Sequence, residues 1–137
     1  MEPKYVVIIQ CDIAHNRCSG FACTDSFYKK EGKFQSYGDE VQYISFTCGG
    51  CCGKSVSAKI EHLAKKLNKT DIKKGEVSIH LASCITTDNY HSDRCPHAEY
   101  IKYIIEKKGF KNITEGSYVS KGAAKLREKG IYKTYTE

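Results

Sequence analysis

Four short runs of β-branched and apolar residues punctuate the chain, and each is followed by a segment of helical length. Tyr5 to Gln10 holds four consecutive aliphatic residues, Val6-Val7-Ile8-Ile9, and reads as a strand buried on both faces. Val41 to Thr47 reads as a second strand, with Val41, Tyr43 and Ser45 alternating against Gln42, Ile44 and Phe46. Val77 to Ala82 is a third, with Val77, Ile79 and Leu81 on one face and His80 on the other. Asn112 to Val119 is a weaker fourth. The clearest helix lies between the second and third strands, where Val56, Ile60, Leu63, Ala64 and Leu67 form one apolar stripe. Between the third and fourth, Cys95-Pro96 opens a helix with proline in its first turn; Ala98, Ile101, Ile104 and Ile105 make its buried face, and Gly109 ends it. Less periodic helices are expected around Ser19 to Lys30 and from Ser120 to Lys129.

This alternation predicts parallel βαβ units with right-handed crossovers and helices on both faces of the sheet. The expected architecture is a flavodoxin-like α/β fold: a three-layer α/β/α sandwich around a parallel sheet of four or five strands. The expected strand order is 2-1-3-4, with ligands at the carboxyl ends of the strands. A length of 137 residues suits one domain spanning residues 1–137. No apolar run approaches the roughly 20 residues of a membrane-spanning helix. Met1-Glu2-Pro3-Lys4 leads straight into the first strand without a signal-peptide core, so a cytoplasmic location is expected. The net charge of +6 comes from 22 basic and 16 acidic residues, and pairs such as Lys65-Lys66 and Lys73-Lys74 fall on helix faces or in loops. That pattern reads as a solvated basic surface rather than a nucleic-acid interface.

Eight cysteines in a chain long enough to build its own core call for a chemical reason. Cys11 directly follows the first strand and Cys48 the second, with Cys51 and Cys52 in the same loop. Cys84 follows the third strand, Cys95 stands at the start of the next helix, and His97 lies in its first turn. Cys18 and Cys23 lie near the start of the first helix. All eight thus map to the sheet edge where α/β folds bind ligands. A free cysteine can simply be a small buried hydrophobe, but scatter would not place all eight at strand-to-helix junctions. Neighbouring strands are about 4.8 Å apart, so the sulfurs of Cys11, Cys48, Cys51 and Cys84 are expected in one cluster.

Metal binding is the economical reason for such a cluster. Thiolates suit zinc and iron–sulfur clusters; zinc takes four Cys or His ligands in a tetrahedron, and a cubane cluster takes four thiolates. Cys48-Gly49-Gly50-Cys51 is a C-x-x-C pair whose glycines let the backbone turn tightly. The ligand candidates are Cys11, Cys18, Cys23, Cys48, Cys51, Cys84, Cys95 and His97, with zinc first and an iron–sulfur cluster second.

These residues resemble the CGGC domain family over nearly the whole chain. The resemblance rests on Ile9-Gln10-Cys11-Asp12, Cys18-x4-Cys23, Tyr37-Gly38, Cys48-Gly49-Gly50-Cys51 with Gly53-Lys54, Ile79-His80-Leu81-Ala82-Ser83-Cys84, Cys95-Pro96-His97 and Glu115-Gly116. It implies an α/β domain that binds metal, with zinc the first expectation. Cys52 departs from the family pattern, which has proline there, and ranks below the other cysteines as a ligand.

A thiol–disulfide oxidoreductase or redox sensor using Cys48 and Cys51 is the main rival, because Cys51 precedes a helix whose dipole would favour a thiolate. Cys11-x5-Arg17 is similar to the phosphate loop of low-molecular-weight phosphotyrosine phosphatases, but it lacks glycine and places Asp12 beside the nucleophile. Gly53-Lys54-Ser55 matches the end of a Walker A loop, but Cys48 stands where that motif needs glycine. His80 is balanced between a hydrogen-bonded core histidine and a ligand. His62 reads as solvated, and His15 and His91 fall in loops.

Overall fold

The structure is a computed structural model that describes residues 3–12, 18–49, 54–86, 94–117, 125–126 and 128–131. Its four strands are β1 (Tyr5–Gln10), β2 (Gln42–Thr47), β3 (Val77–Leu81) and β4 (Ile113–Glu115). Its helices are α1 (Phe21–Lys29), α2 (Lys54–Leu67), the single turn α3 (Ser83–Thr86) and α4 (Ala98–Lys107). The strands pair in the order β2-β1-β3-β4, and every pairing is parallel. This is the order expected from the alternating pattern.

Burial explains the order. β3 is buried along its whole length and β1 in all but its first residue, whereas β2 and β4 are partly exposed. The aliphatic runs therefore occupy the centre of the sheet, and the more polar strands form its edges. Register brings Val7 opposite Ile44 on one side and Ile79 on the other.

Alternation along the strands sends side chains to two cores. Val7, Ile9, Val77, Ile79 and Leu81 meet Val56 and Ile60 of α2 and Ile101 and Ile105 of α4. Val6 and Ile8 meet Phe27 of α1, Phe34 and Val41 on the opposite face. With helices on both faces, the molecule has the expected three layers. Each fully buried aliphatic side chain in these cores contributes roughly 1.5–3 kcal/mol.

One local expectation is corrected. The segment from Cys95 does not begin the fourth helix: Cys95 closes a turn to Ala98, His97 is the N-cap residue, and the helix starts at Ala98. Cys84 follows β3 as expected and sits in the short helix α3, whose Ile85 is buried in the core. Of the expected final helix, residues 120–124 and 127 lie outside the described residues, while Lys125, Leu126 and Glu128 are helical.

Candidate metal centre

The parallel ladder runs on past the strand ends. The Cys48 amide donates to the Gln10 carbonyl at 2.8 Å, and the Ala82 amide donates to the Ile9 carbonyl at 2.8 Å. These bonds hold the chain after β2 and after β3 beside the end of β1. The next two amides of β1 then meet sulfur: Cys11 N–H donates to Cys84 Sγ at 3.2 Å, and Asp12 N–H donates to Cys48 Sγ at 3.5 Å. Successive amides of an extended chain point to opposite sides, so the end of β1 reaches one thiol from each neighbouring strand. Thr47 Oγ1 donates to Asp12 Oδ1 at 2.8 Å and ties the same corner together.

Cys84 packs against both hydrophobic cores. Burial pushes its thiol up to about 12; the Cys11 amide opposes the rise in part, and the neighbouring thiols of Cys23, Cys11 and Cys18 add to it. Three other cysteines are thus near enough to Cys84 for their charges to matter. Cys23, on α1, has its sulfur 3.2 Å from Ser117 Oγ. Cys18 Sγ accepts the Gly20 amide just before α1.

Cys95 lies on the other side of the α3 turn. Its amide donates to the Ile85 carbonyl at 2.7 Å, and its sulfur accepts the His97 amide at 3.4 Å. Arg94 beside it donates to the Thr86 carbonyl and to Glu115. These bonds hold Arg94 and Cys95 beside Ile85 and Thr86. His97 is half-buried, and its side chain makes no cap bond to α4. Cys51, Cys52, His15, His91 and Arg17 lie outside the described residues. His62 is exposed, as its position off the apolar stripe implied.

All six described cysteines are free thiols. Among the described residues, no group of three Cys, His, Asp or Glu side chains already stands in an arrangement that would hold an ion. The donor chemistry nevertheless fits a soft cation. Sulfur dominates, backbone amides point at four of the sulfurs, and a bound cation would deprotonate a thiol such as Cys84 outright.

The sequence profile of the CGGC domain matches residues 5–118. The chain belongs to the CGGC domain family. The match spans β1 through Ser117, and so takes in every strand and every candidate ligand. No curated protein and no solved structure matches the chain.

Within this CGGC domain the first glycine of the motif has a definite role. Gly49 has φ +70°, and a Cβ added there would lie 2.3 Å from Ser55 Cβ and Oγ in the first turn of α2. The loop after β2 therefore turns in the left-handed region and passes against the helix start, which only glycine permits.

Sequence reasoning missed the polar frame around the thiols. His80 is fully buried on the α1 face of β3, with Nδ1 2.7 Å from the Gly116 carbonyl and Nε2 2.6 Å from the Tyr37 hydroxyl. The carbonyl can only accept, so Nδ1 carries a proton and donates it. In the neutral imidazole Nε2 then accepts from Tyr37. Burial raises the Tyr37 phenol, with the Ser78 hydroxyl 2.8 Å away acting in the opposite sense. His80 thus has the bonds of a core histidine. The available signal was its parity in β3, opposite Ile79 and Leu81, together with the Tyr37-Gly38 and Glu115-Gly116 pairs.

Proposed function

We propose that this CGGC domain binds a metal ion through thiolates at the carboxyl edge of its sheet, with zinc as the ion. The observation that carries the reading is the pair of successive amides at Cys11 and Asp12, aimed at the sulfurs of Cys84 and Cys48. N–H donors to sulfur stabilise the thiolate form that a metal requires. The foremost ligand candidates are Cys84 and Cys48, with Cys11 between them at the end of β1. Cys18 and Cys23 at the start of α1, Cys51 from the loop after β2, and Cys95 with His97 before α4 are the remaining candidates. Four thiolates suit tetrahedral zinc and would also serve an iron–sulfur cluster. No helix among the described residues is long and apolar enough to cross a membrane. A cytoplasmic setting, where thiols stay reduced, suits such a site.

Anaerobic purification followed by elemental analysis and a visible absorption spectrum tests this reading. A colourless protein with one zinc per chain is the expected result. Iron, labile sulfide and broad visible absorption would replace zinc with a cluster. A metal-free protein with a reversibly reducible Cys48–Cys51 disulfide would overturn metal binding in favour of thiol–disulfide exchange.

A further inference from the structure

Ser117 follows Glu115, the last residue of β4, by two positions and is fully buried. It touches three other parts of the chain. Its amide donates to Ser83 Oγ at 3.1 Å, and the Ser83 amide donates back to Ser117 Oγ at 3.1 Å. Its carbonyl accepts the Lys33 amide at 3.2 Å. Its hydroxyl lies 3.2 Å from Cys23 Sγ. The peptide between Gly116 and Ser117 is held on both edges, by His80 at the carbonyl and by Ser83 at the amide. Gly116 has φ +116°, a backbone angle that a residue with a side chain would resist. The Tyr37–His80 pair and the reciprocal serine clasp therefore fix one hydroxyl beside one sulfur.

We propose that Ser117 is the positioning residue of the cysteine site: its hydroxyl is hydrogen-bonded to the Cys23 sulfur and, through the clasp with Ser83, holds that sulfur toward Cys84. A hydroxyl can both donate and accept, so this contact serves whether Cys23 carries a proton or not. Ser83 directly precedes Cys84, so the clasp sets the positions of both thiols at once. The metal-affinity part of this inference rests on the zinc reading; the placement of Cys23 does not. Groups of this kind around a metal ligand are worth 10–100-fold in affinity.

The test uses the full chain with Ser117→Ala and Ser117→Thr. In the reduced, metal-free protein, dibromobimane bridges neighbouring thiols into a fluorescent product, and peptide mapping identifies the pair. Wild type is expected to bridge Cys23 to Cys84, Ser117→Ala to lose that bridge, and Ser117→Thr, which keeps the hydroxyl, to retain it. Zinc affinity, measured by chelator competition, is expected to fall roughly 10-fold or more in Ser117→Ala and to recover in Ser117→Thr. A folded Ser117→Ala protein with unchanged bridging, or a wild type that never bridges this pair, overturns the proposal. Should Ser117→Ala fail to fold, Ser83→Ala opens the clasp and must weaken the same bridge, and unchanged bridging there overturns the proposal as well. If wild type takes no zinc yet bridging still depends on Ser117, the zinc reading fails and the positioning role stands.

Discussion

The Cys11 amide donates to the Cys84 sulfur across 73 residues of sequence, at 3.2 Å. One central strand thereby grips a thiol that follows its neighbour in the sheet. Replacing Cys84 by serine removes the gripped sulfur but leaves both cores standing, because Val56, Ile60, Ile101 and Ile105 are buried against the strands and Cys84 only borders that cluster. The variant is expected to lose metal while keeping its far-UV circular dichroism. Full metal stoichiometry in Cys84→Ser at neutral pH would exclude Cys84 as a ligand. Outright unfolding of the variant would make the site a structural one.

The half-buried Cys84 thiol predicts sensitivity to alkali in the metal-free protein. Its folded pKa, about 12, lies above the ordinary value of 9.0. A raised folded pKa contributes stability that is fully present below the unfolded pKa and is lost as pH rises through the folded one. The denaturation midpoint of the metal-free protein should therefore fall from about pH 9 toward pH 12. Cys84→Ala should show a shallower fall over that window; an identical slope would mean that other groups set the alkaline limit.

Glu115 predicts the opposite limit. Burial alone would raise its carboxyl, but hydrogen bonds and charge from Arg94 and Lys102 outweigh burial and hold it below its usual range. A depressed folded pKa contributes stability that is present above the unfolded pKa, near 4.3 for glutamate, and is lost as pH falls through the folded value. Glu115→Gln should cost about 1–3 kcal/mol at neutral pH. It should also flatten the acid limb of the stability profile, measured by urea denaturation at stepped pH. An acid limb as steep as that of wild type would show that other carboxylates dominate.

Gly49→Ala should destabilise the protein by about 2 kcal/mol or more, from left-handed strain plus overlap with Ser55. Adding Ser55→Gly should recover the overlap but not the strain. Full recovery in the double variant would show that φ at residue 49 is of no consequence. Urea midpoints of the three proteins decide between these.

Much of the fold was legible because its cause is local. The unbroken Val6–Ile9 run and the alternating Val77, Ile79 and Leu81 mark strands whose neighbours must also be apolar, and α2 shows its stripe from Val56 to Leu67. The order β2-β1-β3-β4 is the one a flavodoxin-like fold implies, and the more polar strands do lie at the edges. Helix starts were less legible. Pro96 suits a first turn, but the turn closed by Cys95 takes it, and the helix begins two residues later.

The sequence by itself determined that Cys11, Cys48 and Cys84 lie at one sheet edge, because each follows one of three adjacent parallel strands. The tertiary structure alone decided which groups touch them. The Cys11 amide on the Cys84 sulfur, the Ser83–Ser117 clasp and the Arg94–Glu115 pair join residues 73, 34 and 21 positions apart. A hydrogen bond forms only within about 3.5 Å and a narrow range of angles. Hydrophobic periodicity places a residue on a face or at an edge, but such contacts depend on where whole elements come to rest against one another.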